Sequence, residues 1–372
     1  MSTATIRGRI PRPFPLILTL LFVTTLALPA LAAPYAALVM DARSGKVLHE
    51  ENADRRLHPA SLTKMMTLYI TFEAVENGEI DLDTRITVSR KAAAEVPSKL
   101  GLKPGQKIAL RYLIRAAALK SANDAATAIA EGISGSEAAF ARRMNRTAKA
   151  MGMTRTTFRN AHGLTEKGHL STARDMTLLG RHLFFDYPDY YHLFSRRSMS
   201  AQVATVYHTN RRFLRDYAGA DGIKTGYTRA AGFNLTASAR RGQEHIIATV
   251  FGGNSTGSRN AQMAKLMDLG FRKAPSRVAV RKPARPPYLG DMPSGRTVHT
   301  VLAVSRSIRP AARPMPTATP RPAALDTDIA EALALAAVAP DAGDPGSATT
   351  GPDASATDEA IRRAAAEATA PT

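Results

Sequence analysis

Ser61-Leu62-Thr63-Lys64 sets a hydroxyl three residues ahead of an amine. On a helix that spacing puts both side chains on one face, a turn apart. A serine hydroxyl attacks well only when a base takes its proton, and a lysine can be that base only with a lowered pKa. Burial and a second nearby cation both push in that direction, and Lys224, within Lys224-Thr225-Gly226, is a candidate for the second cation. Ser121-Ala122-Asn123 adds another hydroxyl, suited to relaying a proton, and an amide suited to holding substrate. A serine in a first helical turn also keeps a free backbone N–H that can help hold an oxyanion. Together these groups equip the chain for acyl transfer through a covalent acyl-serine.

Each pattern alone is weak. Ser-x-x-Lys occurs by chance on many helix surfaces, and Ser and Asn are ordinary capping residues. Ser258-Arg259-Asn260 repeats the pattern of residues 121–123 and is accidental in that role. The weight comes from order and from the elements that must carry the groups. Tyr35–Met40 and Lys46–Glu50 flank an Asp/Ser/Gly turn and read as a β-hairpin. Pro59 suits the first turn of the helix that follows, whose Met65, Met66, Leu68, Tyr69, Phe72 and Val75 crowd one broad apolar side until Asn77-Gly78. Arg111 to Glu131 is helical in pattern but interrupted at Ser121, and a break there can aim a hydroxyl and an amide into a cleft. Ser136 to Met151 and Asp175 to Phe185 are further helices. Strand patterns return at Gly222–Tyr227, Gly232–Ala239 and His245–Phe251, and Ala261–Phe271 reads as a closing helix. A glycine in the first of these strands, Gly226, lets a substrate backbone lie close along an exposed edge, with Thr225 as a donor. The expected fold class is α/β (α+β): an antiparallel sheet built from both ends of the domain, flanked by helices, with an inserted helical lobe.

Composition narrows the setting. The 372 residues include no Cys, which excludes disulfides, thiolate metal sites and cysteine nucleophiles. Arg7, Arg9 and Arg12 precede an apolar run from Leu16 to Leu28 and Ala30-Leu31-Ala32, the pattern of an export signal over residues 1–32, with an uncleaved anchor as the alternative. Residues 33–274 form the expected domain, and residues 275–372, rich in Pro and Ala, a tail expected to be disordered. The net charge of +19 on an exported chain suits anionic envelope polymers and association with a membrane surface. No zinc finger or aromatic RNA-binding signature accompanies that charge, so nucleic acid is not an expected partner. No cofactor or metal is expected either, since no His pair has zinc-protease spacing.

At this point the chain resembles the penicillin-recognising serine enzymes, and more narrowly the low-molecular-mass penicillin-binding proteins that are serine D-alanyl-D-alanine carboxypeptidases. The likeness runs from about Ala36 to Phe271. It is carried by Pro59-Ala60-Ser61-Leu62-Thr63-Lys64-Met65-Met66-Thr67, Ser121-Ala122-Asn123-Asp124-Ala125-Ala126, Asn160-Ala161-His162-Gly163-Leu164 and Asp221-Gly222-Ile223-Lys224-Thr225-Gly226-Tyr227-Thr228. The resemblance implies that Ser61 attacks the carbonyl between two D-alanines of a peptidoglycan stem peptide, with Lys64 as general base. Ser121 and Lys224 would pass a proton to the departing D-alanine, and Asn123 would hold the substrate amide. The oxyanion would lie between the N–H groups of Ser61 and Tyr227, and Arg259 would meet the terminal carboxylate. β-Lactam antibiotics would acylate the same serine. Some relatives carry His at the position of Tyr227, a β-rich second domain and an amphipathic anchor; the tail here resembles neither of the last two. His162 and His169 read as loop-structural.

Three rivals follow. A D,D-endopeptidase acting on cross-links would use the same groups. A β-lactamase would need a deacylation base such as the Glu of Glu-x-x-x-Asn, which the sequence after Glu166 lacks. A non-catalytic wall-binding protein would have no need of Lys64 beside Ser61.

Overall fold

The computed structural model describes residues 34–290. The expected export signal and most of the expected tail lie outside the described residues. Five strands form one antiparallel sheet: β1 (Ala36–Asp41), β2 (Val47–Glu51), β3 (Ala220–Thr228), β4 (Gly232–Arg241) and β5 (Glu244–Gly253), in the spatial order β2-β1-β5-β4-β3. The N-terminal hairpin thus joins the C-terminal strands through β1 and β5, with Ala36 opposite Phe251 and Asp41 opposite Ile246. This is the sheet built from both ends of the domain that the strand patterns imply.

Every residue of β1 is buried, because the sheet is covered on both faces. Successive side chains of a strand point to opposite faces. Ala37, Val39, Leu235, Ala237 and Val250 accordingly share one cluster with Met263, Leu266 and Met267 of helix α5 (Thr256–Lys273). Ala36, Leu38, Met40, Ile223 and Ile247 belong to the larger cluster on the other side, which continues into the helical lobe. On that side α4 (Ala173–Asp186) lies against the sheet, with Thr177 Oγ1 donating to Thr249 Oγ1 at 2.8 Å. Gly180 makes the close approach feasible, since a Cβ there would come within 3.0 Å of Ile223 Cδ1.

The lobe is organised around α1 (Lys64–Glu76), which packs against α2 (Asn123–Ser134), α3 (Glu137–Ala150) and α4. Here the structure departs from the expected one-sided helix. Burial is unbroken from Lys64 to Ala74, because helices surround α1 and even its polar positions are enclosed. Among them Thr67 donates to Ala161 O at 2.6 Å and Thr71 to Thr67 O at 2.7 Å. The interruption at Ser121 is present. A helical turn, Leu110–Arg115, widens into a π-turn over Ala116–Lys120, Ser121 takes a left-handed conformation with φ 66°, and α2 begins at Asn123. The Ser-Arg-Asn echo at 258–260 has a structural use: Ser255 and Ser258 form a capping box at the start of α5.

A second departure lies after α5. Residues 275–290, which composition assigns to a disordered tail, are bonded to the domain. Arg43 donates to Pro275 O at 2.6 Å and Ser276 O at 3.3 Å, and Arg281 N donates to Arg43 O at 2.8 Å. Arg181 bonds the carbonyl of Arg281. Further along, Arg285 pairs with Glu76 at 2.6 Å, Tyr288 Oη donates to Glu79 Oε1 at 2.6 Å, and Arg146 donates to Gly290 O at 3.0 Å. The segment is held by arginine–carbonyl and acidic contacts rather than apolar burial, so low hydrophobicity does not reveal it.

Candidate active site

Three elements meet at Ser61. A 3₁₀ turn, Ala60–Thr63, leads directly into α1, and Ala60 is itself left-handed with φ 48°. Asn234 on β4 fastens that turn to the sheet. Its Nδ2 donates to His58 O at 3.0 Å and Pro59 O at 3.3 Å, while its Oδ1 accepts from Gly252 N at 3.0 Å. Strand β3 is an edge of the sheet, and Gly226 on it abuts the turn: a Cβ there would lie 2.9 Å from Pro59 O and 3.0 Å from Ser61 N. From the lobe side Gly163 presses equally close, since a Cβ on it would stand 1.9 Å from Ala60 O. Its φ of 91° suits glycine as well.

Lys64 is fully buried at the start of α1. Its Nζ lies 3.0 Å from Ser61 Oγ, 2.7 Å from Asn123 Oδ1 and 2.8 Å from His162 O. The last two are carbonyl oxygens and can only accept. Asn123 is fixed in that orientation because its Nδ2 donates to Val96 O at 2.8 Å. A neutral amine has two N–H groups and one lone pair; with both N–H groups given to the carbonyls, the lone pair is left for the Ser61 hydroxyl. Burial, and then the positive charge of Lys224, push the Lys64 pKa well below the usual lysine range, against the opposing pull of Glu95 and Asp124. An ammonium could give its third N–H to the same hydroxyl oxygen, so the geometry accommodates both forms, and the surroundings favour the neutral one.

Lys224 on β3 is also fully buried, with Nζ donating to Thr225 O at 3.0 Å. Burial first, and Arg259 second, lower its pKa to about 7. Ser121 Oγ is buried and finds no hydrogen-bond partner among the described residues, which leaves it available to a bound molecule. Its left-handed backbone costs about 1–2 kcal/mol, a strain of the kind that gathers at functional sites. Thr225 Oγ1 donates to Thr209 Oγ1 at 2.7 Å, and the Tyr227 ring rests against Phe233 with centroids 4.3 Å apart. Arg259 sits in the first turn of α5, buried, with Nη2 donating to Asn260 Oδ1 at 2.8 Å and Nη1 to Asn234 O at 3.4 Å. Gly253 makes room for it: a Cβ there would meet Arg259 Cβ at 2.9 Å.

Sequence reasoning passed over several residues that build this site. Asn234 was hidden in a strand pattern, although a buried polar residue amid Phe233 and Leu235 is the signal that marks it. Thr209, the partner of Thr225, carries no local pattern. Asp124 accepts from the backbone N–H groups of Leu100, Gly101 and Leu102 at 2.8–3.1 Å, which shapes the loop before Ser121. His169 accepts from Arg159 N on Nδ1 and sets Nε2 2.9 Å from Thr63 Oγ1; burial lowers its pKa to about 3 and keeps the ring neutral. His162 Nε2 faces Glu137 at 3.3 Å and Glu95 at 3.4 Å, and these three could in principle gather around a metal ion. The donor chemistry argues otherwise. Nδ1 accepts from Leu164 N at 3.2 Å, so Nε2 bears the ring hydrogen, and Lys91 already pairs with Glu137 at 2.6 Å.

A sequence-family model described as D-alanyl-D-alanine carboxypeptidase matches residues 23–255. The D-alanyl-D-alanine carboxypeptidase DacF of Bacillus subtilis is 39% identical over 241 residues, covering 63% of this chain and 61% of its own. DacA of Escherichia coli is 38% identical over 264 residues, covering 68% of this chain and 66% of its own. The chain therefore spans less than two thirds of the length of these curated relatives. Among solved structures, penicillin binding protein 6B from Escherichia coli is similar with a TM-score of 0.61 at 35% identity, over 66% of this chain and 79% of that one. Penicillin-binding protein D2 from Listeria monocytogenes in the ampicillin-bound form is similar with a TM-score of 0.59 at 33% identity, over 64% of this chain and 97% of that one. With the family match extending over more than half of its length, the chain belongs to the D-alanyl-D-alanine carboxypeptidase family.

Proposed function

We propose that this protein is a serine D-alanyl-D-alanine carboxypeptidase that removes the terminal D-alanine from peptidoglycan pentapeptides. The observation that carries the reading is the arrangement around Lys64, whose two carbonyl acceptors leave its lone pair for Ser61 Oγ. In the acylation step Ser61 Oγ bonds to the carbonyl carbon between the two D-alanines, and Lys64 takes the hydroxyl proton. The oxyanion is held by the N–H groups of Ser61 and Tyr227. Collapse breaks the C–N bond, and the departing amine receives its proton through Ser121 with Lys224 alongside. Asn123, Thr225 and the edge strand at Gly226 hold the peptide, and Arg259 meets its terminal carboxylate. Water then attacks the acyl-serine and frees the shortened peptide. The domain of residues 33–274 is the catalytic unit, exported to the periplasm or envelope, with its basic charge favouring the wall and membrane surfaces. A β-lactam is a substrate mimic, as the ampicillin bound by the Listeria relative illustrates for that protein.

The test is a fluorescent penicillin with intact mass and peptide mapping, followed by D-alanine release from a pentapeptide. A stable adduct on Ser61 that is lost in a folded Ser61→Ala variant is the expected result. An adduct surviving in that variant would overturn the nucleophile. Rapid nitrocefin turnover would move the reading to a β-lactamase, and cleavage of cross-linked dimers in preference to pentapeptide would move it to an endopeptidase. Absence of any adduct on folded protein would favour a wall-binding role.

A further inference from the structure

Both carbonyl oxygens that receive the Lys64 N–H groups depend on one residue outside every recognised pattern. Asn123, which supplies the first, is held twice by the segment after Glu95: its Nδ2 donates to Val96 O at 2.8 Å and its backbone N to Ser98 O at 2.7 Å. Ser98 Oγ ties the same segment to Lys120 O at 3.0 Å. Glu95 fastens this segment to the lobe, since its Oε1 accepts from Thr127 Oγ1 at 3.0 Å. The same oxygen stands 3.4 Å from Nε2 of His162, the residue whose carbonyl is the second acceptor of Lys64. The ring hydrogen on Nε2 points between Glu95 and Glu137, and Glu137 Oε1 also accepts from Ala161 N at 3.0 Å. One carboxylate therefore braces both acceptors of the amine.

We propose that Glu95 is a positioning residue for acyl transfer: it braces the two carbonyl oxygens that orient Lys64 and places a negative charge that bears on that amine's proton. The inference rests on the acyl-serine reading given above. The charged groups facing Lys64 are Lys224 from β3, Asp124 from α2 and Glu95. Asp124 is committed to the backbone N–H groups of residues 100–102 and cannot substitute for Glu95 in the bracing. Glu95 is itself faced by His162 and Lys91, which hold its carboxyl below the usual range against its burial, with Glu137 on the far side of the ring. An anion near an ammonium favours the charged form. Removing that anion lets Lys64 become a free base at lower pH.

The experiment measures the rate of acylation by fluorescent penicillin against pH for the full chain and for Glu95→Gln, which keeps the shape and removes the charge. The acid-side midpoint is expected to move to lower pH by about 0.5 unit or more. The shorter Glu95→Asp keeps the charge but withdraws it by a methylene, so its midpoint moves less while its maximal rate falls about tenfold or more. A mere packing role would lower the rate of both variants without moving either midpoint. An unmoved midpoint in folded Glu95→Gln, or an unchanged maximal rate in folded Glu95→Asp, overturns the proposal. Failure of the wild-type chain to form any adduct would instead overturn the acyl-serine reading.

Discussion

Replacing Gly163 by alanine tests whether the loop 160–164 and the turn before α1 are fitted to each other. The added Cβ would stand 1.9 Å from Ala60 O, 2.4 Å from Ala60 C and 2.8 Å from Thr63 Oγ1. Two of these are backbone atoms, so no side chain can swing aside. Carbon and oxygen must separate to about 3 Å or more, which forces the loop and the turn apart by more than about 1 Å. The backbone penalty of a positive φ adds about 1–2 kcal/mol, and forced repacking of a tight interior adds about 1–3 kcal/mol. A total near 3 kcal/mol corresponds to a fall in Tm of about 6–12 °C for a domain of this size. His162 precedes the altered residue, so the displacement also draws its carbonyl from Lys64 Nζ, now 2.8 Å away. A misplacement of about 1 Å can cost about a hundredfold in rate. The assay pairs thermal unfolding with the rate of penicillin acylation at 25 °C, where the variant remains folded. Gly257→Ala is the control: its nearest neighbour would be Ser255 Oγ at 3.9 Å, and helical alanine is favoured there by up to about 1 kcal/mol. Wild-type Tm and acylation in Gly163→Ala would refute the argument.

Two other perturbations follow from the buried cations and the docked segment. Lys224 has a folded pKa of about 7 against an unfolded value near 10.4, so the unfolded chain holds more protons between those limits and stability from this group rises with pH across that window. Lys224→Met should therefore gain in Tm over the wild type most at pH 6 and least at pH 10, and a difference independent of pH would contradict the assigned burial. Ending the chain at residue 274 removes the carbonyls of Pro275 and Ser276 from Arg43 and that of Arg281 from Arg181, along with the Arg285 partner of Glu76 and the Tyr288 partner of Glu79. Loss of the part-buried charge-assisted bonds, each worth roughly 1.5–3 kcal/mol, and of the exposed Arg285–Glu76 pair, worth about 0–1 kcal/mol, should lower Tm by about 5 °C or more with penicillin acylation retained; an unchanged Tm would show that the segment contributes nothing.

The parts of this site that were legible in the sequence are those whose chemistry is written in residues close together. Ser61 and Lys64 sit one turn apart, and the break at Ser121 shows as a lapse in helical periodicity. What stayed hidden depends on partners distant in the chain. Asn234 matters because it grips the turn before Ser61 from 175 and 176 residues downstream, through Pro59 O and His58 O. Glu95 matters only because folding sets His162 and Thr127 beside it. The all-round burial of α1 was missed because a central helix has no solvent face to reveal its orientation. Residues 275–290 were missed because their docking is polar, while hydropathy reports only apolar burial.

The docked segment also fixes where a mechanical load would enter the domain. A pull on the chain beyond Gly290 is met first by Arg146, then by the Tyr288–Glu79 and Arg285–Glu76 pairs at the C-terminal end of α1. Ser61 and Lys64 lie at the opposite end of that helix, whose 13 residues separate the two by about 20 Å. Tension applied beyond Gly290 is thus taken up by arginine and tyrosine fastenings at the end of the helix far from Ser61 and Lys64.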